Sequence, residues 1–222
     1  MPGTDTYWIG GGSGAGKSTI ARRIADRHGL RLYSTDDAMS EHARRMDTPL
    51  LREFIATDMD ERWVNRSPET MLETFHWYRG EGFDHIVADL PDEPVIVEGF
   101  RLLPHLVAPL ARPGHAVWLL PTPEFRRAAF EHRGSLWTIA GRTSNPERAL
   151  RNVLERDRMF TERLHTETKR LELPVIEVDT TMTEDELTDR VTELFGLFDG
   201  RTRRGYSNPV RFAGGRGRGR AQ

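Results

Sequence analysis

The chain has 222 residues, no cysteine and a formal net charge of −2, which excludes disulfides, thiol nucleophiles and cysteine-based metal sites and fits one domain with an appendage. The near-neutral total hides an asymmetry: residues 201–222 carry seven Arg and no acid, so the 32 basic side chains less those seven leave 25 against 34 acidic groups in the preceding 200 residues, about −9. No apolar run is long enough to cross a bilayer and the N-terminus lacks the pattern of a secretory signal, so a cytoplasmic protein with no membrane partner is expected.

In chain order, Thr6–Gly10 reads as a first strand and Lys17–His28 as a first helix, ended by Gly29. Between them stands Gly11-Gly12-Ser13-Gly14-Ala15-Gly16-Lys17-Ser18-Thr19, the pattern G-x-x-x-x-G-K-S in a strand–loop–helix setting. Glycines let successive backbone N–H groups converge on phosphate oxygens, and the helix that follows points its positive end at them. Lys17 would reach the β- and γ-phosphates of ATP and Ser18 would ligate Mg²⁺. Lys17 and Lys169 are the only lysines beside thirty Arg. A chain that otherwise uses Arg keeps Lys where a compact ammonium is wanted.

Arg31–Ser34 reads as a second strand running into Thr35-Asp36-Asp37, and residues 38–90 as a set of helices, the clearest starting at Ser67-Pro68-Glu69. Val95-Ile96-Val97 is a buried strand ending at Glu98-Gly99. Leu102–Ala111 is a helix made short or broken by Pro104 and Pro109. Ala116–Leu120 is the fourth strand, Glu124–Arg133 a helix, and Gly134–Ser144 a stretch of turn residues without periodicity. Asn145-Pro146-Glu147 caps a long helix reaching about Leu171, Val175–Val178 is the last strand, and Thr183 caps a last helix to Phe195. Alternation of strands and helices predicts an α/β fold, a five-stranded parallel sheet with helices on both faces, carrying a helical insert at 38–90 and an Arg-rich lid near 133–145. The domain then spans 1–200, and 201–222 is a disordered Arg/Gly tail.

Open parallel sheets bind ligands beyond the carboxyl ends of their strands. That rule gathers the Gly11–Thr19 loop, Asp36, Asp37 and Glu98 at one edge, with Arg101 just beyond. Asp36 can accept a proton from an acceptor hydroxyl or help to hold Mg²⁺, or it can be a helix cap, and Asp37 is the better cap of the two. Glu98 ends its apolar strand as a metal-orienting acid does, and Asp89, after Ile86-Val87-Ala88, is a weaker competitor. Ser18, Asp36 and Glu98 form the expected Mg²⁺ set; Asp36, Asp37, Glu98 and Arg101 form the expected acceptor side.

Eight arginines (Arg126, Arg127, Arg133, Arg142, Arg148, Arg151, Arg156 and Arg158) crowd the region after the fourth strand. Planar cations around a moving phosphoryl group are a main lever of its transfer. Arg133 and Arg142, at the edges of the irregular stretch, are the candidates for a closing lid. Arg151 and Arg158 are expected to pair at helical spacing with Glu155 and Glu162. Trp63, Phe75, Trp77 and Tyr78 form either an aromatic acceptor pocket or the insert's own core.

Taken together, the loop, the Tyr33–Asp37 segment, the apolar strand ending at Glu98 and the arginine-bearing lid resemble the P-loop small-molecule and nucleotide kinases, such as shikimate kinase, gluconate kinase, adenylate kinase and chloramphenicol phosphotransferase. Glu177-Val178-Asp179-Thr180-Thr181 followed by a polar helix also recurs there, near the adenine. The resemblance spans residues 6–196 and implies a Gly11–Thr19 loop on ATP phosphates, Ser18 on Mg²⁺ and Asp36 on the acceptor hydroxyl or metal, in a monomer or homodimer. The glycine-rich third-strand motif of shikimate kinase and the nucleoside-monophosphate signature of adenylate kinase are missing, which leaves the acceptor open. The expected activity is transfer of the γ-phosphate of ATP to a hydroxyl or phosphate on a small molecule or nucleotide. A nucleotide-dependent regulatory ATPase is the alternative, without the base-reading motif of a Ras-like GTPase. Action on nucleic acid through the Arg/Gly tail is another, opposed by the acidic body.

Overall fold

The computed structural model describes residues 5–133 and 139–197. Five parallel strands lie in the order β2-β3-β1-β4-β5: β1 Thr6–Gly11, β2 Arg31–Ser34, β3 Val95–Glu98, β4 Ala116–Pro121 and β5 Val175–Val178. Around them pack α1 Lys17–His28, α2 Met39–Arg45, α3 Pro49–Ala56, α4 Pro68–Thr74, α5 Phe83–Asp89, α6 Pro104–Val107, α7 Pro123–Arg133, α8 Pro146–Arg170 and α9 Glu184–Leu194. The chain is an α/β protein of three layers, as the alternation predicts.

Every residue of β1 and β4 is buried, and the twofold period of a strand divides their side chains between two cores. Trp8, Val97, Trp118 and Leu120 face α5 and α8, meeting Phe83, Ile86, Phe160 and Leu164. Tyr7, Ile9, Ile96, Val117 and Leu119 face α1 and α9, meeting Ile20, Ile24, Leu187 and Val191. Each fully buried aliphatic side chain of this kind contributes roughly 1.5–3 kcal/mol relative to exposure. A third cluster of Trp63, Val64, Met71, Ala140, Ala149 and Val153 ties the segment between β2 and β3 to the N-terminal half of α8.

Local signals explain where elements begin. The Ser67 hydroxyl accepts from the N–H of Thr70 at 3.2 Å to open α4, and the Asn145 side chain accepts from that of Arg148 at 3.1 Å to open α8. Thr183 and Glu186 close a reciprocal capping box on α9. The prolines shorten Leu102–Ala111 to the single turn of α6. Between β2 and β3 the chain makes four short α-helices, a π-helical turn at Glu61–Asn65 and a 3₁₀ turn at His76–Arg79. Residues 134–138 of the expected lid and the whole 201–222 tail lie outside the described residues.

The aromatics divide between the two readings of the insert. Tyr78 and Phe75 join the main core, Tyr78 stacking on Phe160 with centroids 3.8 Å apart. Trp63 belongs to the third cluster, and Trp77 lies under a guanidinium described below. Among the described residues no helix is long and apolar enough to cross a membrane.

Candidate active site

Parallel register brings three strand ends together, with Ile9 of β1 and Ser34 of β2 both opposite Glu98 of β3. From β1 the chain enters the loop at Gly11, whose φ is 133° and where a Cβ would lie 2.0 Å from the carbonyl oxygen of Leu119. No larger residue fits so close to β4. Gly14 and Gly16 adopt φ near 80°, and α1 starts at Lys17 with no side chain capping it. The first-turn N–H groups are therefore left for an anion, at the positive end of the helix. Lys17 is buried and folds back, its Nζ donating to the carbonyl of Gly12 at 2.8 Å.

Ser18 Oγ donates to Glu98 Oε2 at 3.1 Å. Glu98 is only 1% exposed. Burial pushes its carboxyl above the usual range and the neighbouring Asp36 pushes the same way, against Lys17 and the hydroxyls of Ser34 and Ser18. Asp36 follows buried Thr35, whose N–H is fixed to the Glu98 carbonyl at 2.9 Å. The Asp36 residue stays open to water, yet protein atoms crowd its carboxylate. Loss of hydration there raises its carboxyl, opposed mainly by Lys17, then by Thr35 and Arg101. A hydroxyl and two carboxylates around one ammonium are hard oxygen donors of the kind Mg²⁺ takes, with phosphate and water completing its shell.

The helix-cap reading of the aspartates fails. Asp37 is exposed and its N–H donates to Ser34 Oγ at 3.3 Å, while α2 opens after Ala38 with no side-chain cap. Asp89 is not a rival to Glu98, because it ends a helix rather than a strand. Its carboxylate takes Arg45 at 2.7 and 3.1 Å and His42 at 2.8 Å, and Arg45 leads in holding it down to about 2.

Arg101 is 2% exposed, and the two terminal nitrogens of its guanidinium are occupied by the protein itself. It donates to the carbonyls of Thr35 and Gly82, each at 3.1 Å, and lies 4.0 Å over Trp77. It thereby braces the turn that carries Asp36 against the insert. Burial lowers it to about 10, against the pull of Tyr33, Asp36 and Asp89.

Arg133 is the last residue of α7, and its side chain lies outside the described residues. Arg142 is exposed on a turn held to the insert, where the N–H of Ser144 meets Asp60 Oδ1 at 2.7 Å. Its turn leads into Asn145, sixteen residues before Thr161 of α8, or roughly 24 Å of helix. The structure does not bring Arg142 to the loop.

Arg126 and Arg156 are the buried ones. Arg126 donates to the Thr161 hydroxyl, itself 2.6 Å from where a Cβ on Gly12 would be. Arg156 donates to Asp157 Oδ1 at 2.7 and 3.0 Å, and Tyr78 donates to the same oxygen at 3.1 Å while its hydroxyl faces Ser13 of the loop. Both belong to the eight clustered arginines of the sequence, Arg126 on α7 and Arg156 on α8. The available signal was the stripe Ala149, Val153, Phe160 and Leu164, whose helical spacing puts Arg156-Asp157 on the buried face. Arg151 meets Glu147 at 3.9 Å rather than Glu155, which Arg158 takes together with Glu162.

On the other side of the loop a cavity of about 280 Å³ is lined by Gly14, Gly16, Thr19, Phe125, Val178 and Met182. It joins the loop to the end of β5, where the sequence resemblance places an adenine.

No protein-family model and no curated protein matches the chain. Among solved structures it is similar to three P-loop kinases of small molecules. A deoxyadenosine kinase from M. mycoides with bound dATP is 12% identical, with 86% of this chain and 99% of that one covered and a TM-score of 0.48. A shikimate kinase from Acinetobacter baumannii in complex with shikimate is 15% identical, covering 87% and 93%, with a TM-score of 0.45. A gluconokinase from Sinorhizobium meliloti 1021 is 17% identical, covering 88% and 93%, with a TM-score of 0.43.

Proposed function

We propose that this chain transfers the γ-phosphoryl group of ATP to a hydroxyl or phosphate of a small molecule or nucleotide. The observation that carries the reading is the meeting of Lys17, Ser18, Glu98 and Asp36 at the carboxyl ends of three adjacent strands. The N–H groups of the loop and of the first turn of α1 hold the phosphates, and Lys17 leaves the Gly12 carbonyl to meet the β- and γ-oxygens. Ser18 and Glu98 are the residues that would hold Mg²⁺, with Asp36 beside them; when bound, the ion neutralises charge on the phosphate oxygens. The cavity beside Phe125 and Met182 takes the base.

Asp36 accepts the proton of the acceptor hydroxyl as that oxygen forms its bond to the γ-phosphorus and the bond from phosphorus to the bridging β–γ oxygen breaks. ADP leaves with that electron pair, and Asp36 returns its proton to water. A carboxylate whose partial loss of hydration raises its basicity suits this role. Arg133 is the lid candidate that remains on α7.

The reading is tested by ATP consumption and phosphorylated-product detection across sugars, shikimate-like acids, nucleosides, nucleotides and aminoglycoside or phenicol alcohols. One class is expected to stimulate ADP release in proportion to its own phosphorylation. ATP hydrolysis indifferent to every acceptor and stimulated only by a protein partner would replace the transferase reading with a regulatory ATPase.

A further inference from the structure

Arg126 poses a problem that the nucleotide seat does not resolve. It is 3% exposed, donates only to the Thr161 hydroxyl and leaves its Nε with no partner. Asp157, the one carboxylate buried with it, gives its Oδ1 to Arg156 and Tyr78 and makes no hydrogen bond to Arg126. Two buried guanidinium groups thus share one buried carboxylate. Such a cation is costly unless an anion reaches it.

Beside Arg126, between the start of α7 and α8, lies a groove of about 260 Å³ lined by Pro123, Arg126, Arg127, Arg151, Glu155 and Arg158. Its single acid is used up, since Arg158 binds Glu155 at 2.7 and 2.9 Å and also reaches Glu162. Arg127 makes no ion pair among the described residues, and Arg151 has only Glu147 at 3.9 Å. On a body that is acidic overall, three guanidinium groups are left facing one recess.

The groove is distinct from the nucleotide cavity. Phe125, Ala128 and Ala129 of α7 line that cavity, whereas Pro123, Arg126 and Arg127 line the groove, so α7 stands between the two. On α8, Arg151, Glu155 and Arg158 lie across the helix from the core residues Val153, Phe160 and Leu164.

We propose that this groove is a second binding site, for a small phosphate-bearing anion, held by Arg126, Arg127 and Arg151. Guanidinium forks match phosphate oxygens in pairs, and the recess is of a size for a phosphate or pyrophosphate group with little attached. Its occupancy is felt at the phosphate loop, because the anion neutralises the residue that holds Thr161 against Gly12.

The test is calorimetric titration of the full chain with inorganic pyrophosphate, and with ATP, in low salt. Three proteins are compared: the parent, Lys17→Ala and the double variant Arg127→Ala/Arg151→Ala. Lys17→Ala is expected to keep pyrophosphate binding in the groove while losing ATP. The double variant is expected to keep ATP binding and to weaken pyrophosphate at the groove by about tenfold or more, with circular dichroism reporting an unchanged fold. A parent with a single pyrophosphate site that vanishes in Lys17→Ala would overturn the proposal, because Arg126 would then serve the nucleotide seat. Groove binding undiminished in the double variant would overturn it as well. Neither readout needs phosphoryl transfer, so failure of the kinase reading and failure of the second site appear in different columns of the experiment.

Discussion

Replacing Gly99 by alanine should disable Asp36 without touching the phosphate loop. Gly99 follows Glu98 with φ 146°, and a Cβ there would stand 1.8 Å from Thr35 Oγ1, 3.0 Å from Thr35 Cβ and 3.1 Å from Asp36 Oδ1. An unstrained contact needs roughly 3.5 Å between the heavy atoms, so well over an ångström must be found by movement. Thr35 is buried and its N–H is tied to β3 at 2.9 Å, which leaves the Asp36 turn as the part that yields. The backbone conformation alone costs about 1–3 kcal/mol for a residue with a side chain, or roughly 2–12 °C in Tm. Misplacing a reacting group by about an ångström costs on the order of 10²-fold in rate. Steady-state kinetics with the phosphorylated acceptor, ADP titration and thermal unfolding should therefore show kcat down about a hundredfold with ADP affinity kept. Adding Thr35→Ala removes the struck oxygen and should restore part of the stability. An unchanged kcat in folded Gly99→Ala would refute the placement of Asp36 in the transfer step.

Two further outcomes follow from titratable groups. Loss of hydration raises Asp36, so kcat/KM should be complete above that raised value and fall as pH drops through it, at higher pH than an ordinary aspartate would give; Asp36→Asn should abolish the activity, and a variant that keeps both activity and acid limb would remove Asp36 from the mechanism. His76 is 1% exposed with both ring nitrogens unpartnered, and burial, helped by Arg101, lowers it to about 4 from 6.5. Between those values the unfolded chain binds a proton that the folded chain refuses, so stability is full above about 6.5 and falls as pH drops to about 4, by a few kcal/mol at most, roughly 1.4 kcal/mol per pH unit. His76→Phe should flatten that slope in urea unfolding curves recorded across pH, and an unaltered slope would assign it elsewhere.

What was legible in the sequence is what local rules control. The loop announces itself because glycine positions, Lys17 and the helix start are contiguous, and Glu98 because a carboxylate after three apolar residues marks a strand end. The strand pattern alone gives both cores, since Trp8 and Ile9 must face opposite ways. The arginines were not legible, because a guanidinium on a long helix reads as solvated until the opposite wall is known. Arg156 is buried because Trp63, Phe75 and Tyr78, from the insert far away in sequence, pack over it, and Arg126 because Thr161 of α8 returns past α7. Arg101 has no local signal either, since its partners are the carbonyls of Thr35 and Gly82, sixty-six and nineteen residues earlier. Arg142 stands at the edge of an irregular stretch, but Ala140 and Ser144 on either side of it meet the insert instead.

The central claim is that one strand edge both seats a nucleotide and moves its terminal phosphoryl group. Its most direct test measures ATP affinity and acceptor phosphorylation side by side in Lys17→Ala and Asp36→Ala. Lys17→Ala should lose both, and Asp36→Ala should keep ATP binding within a few-fold while transfer disappears. Full turnover by Asp36→Ala with the true acceptor would contradict it.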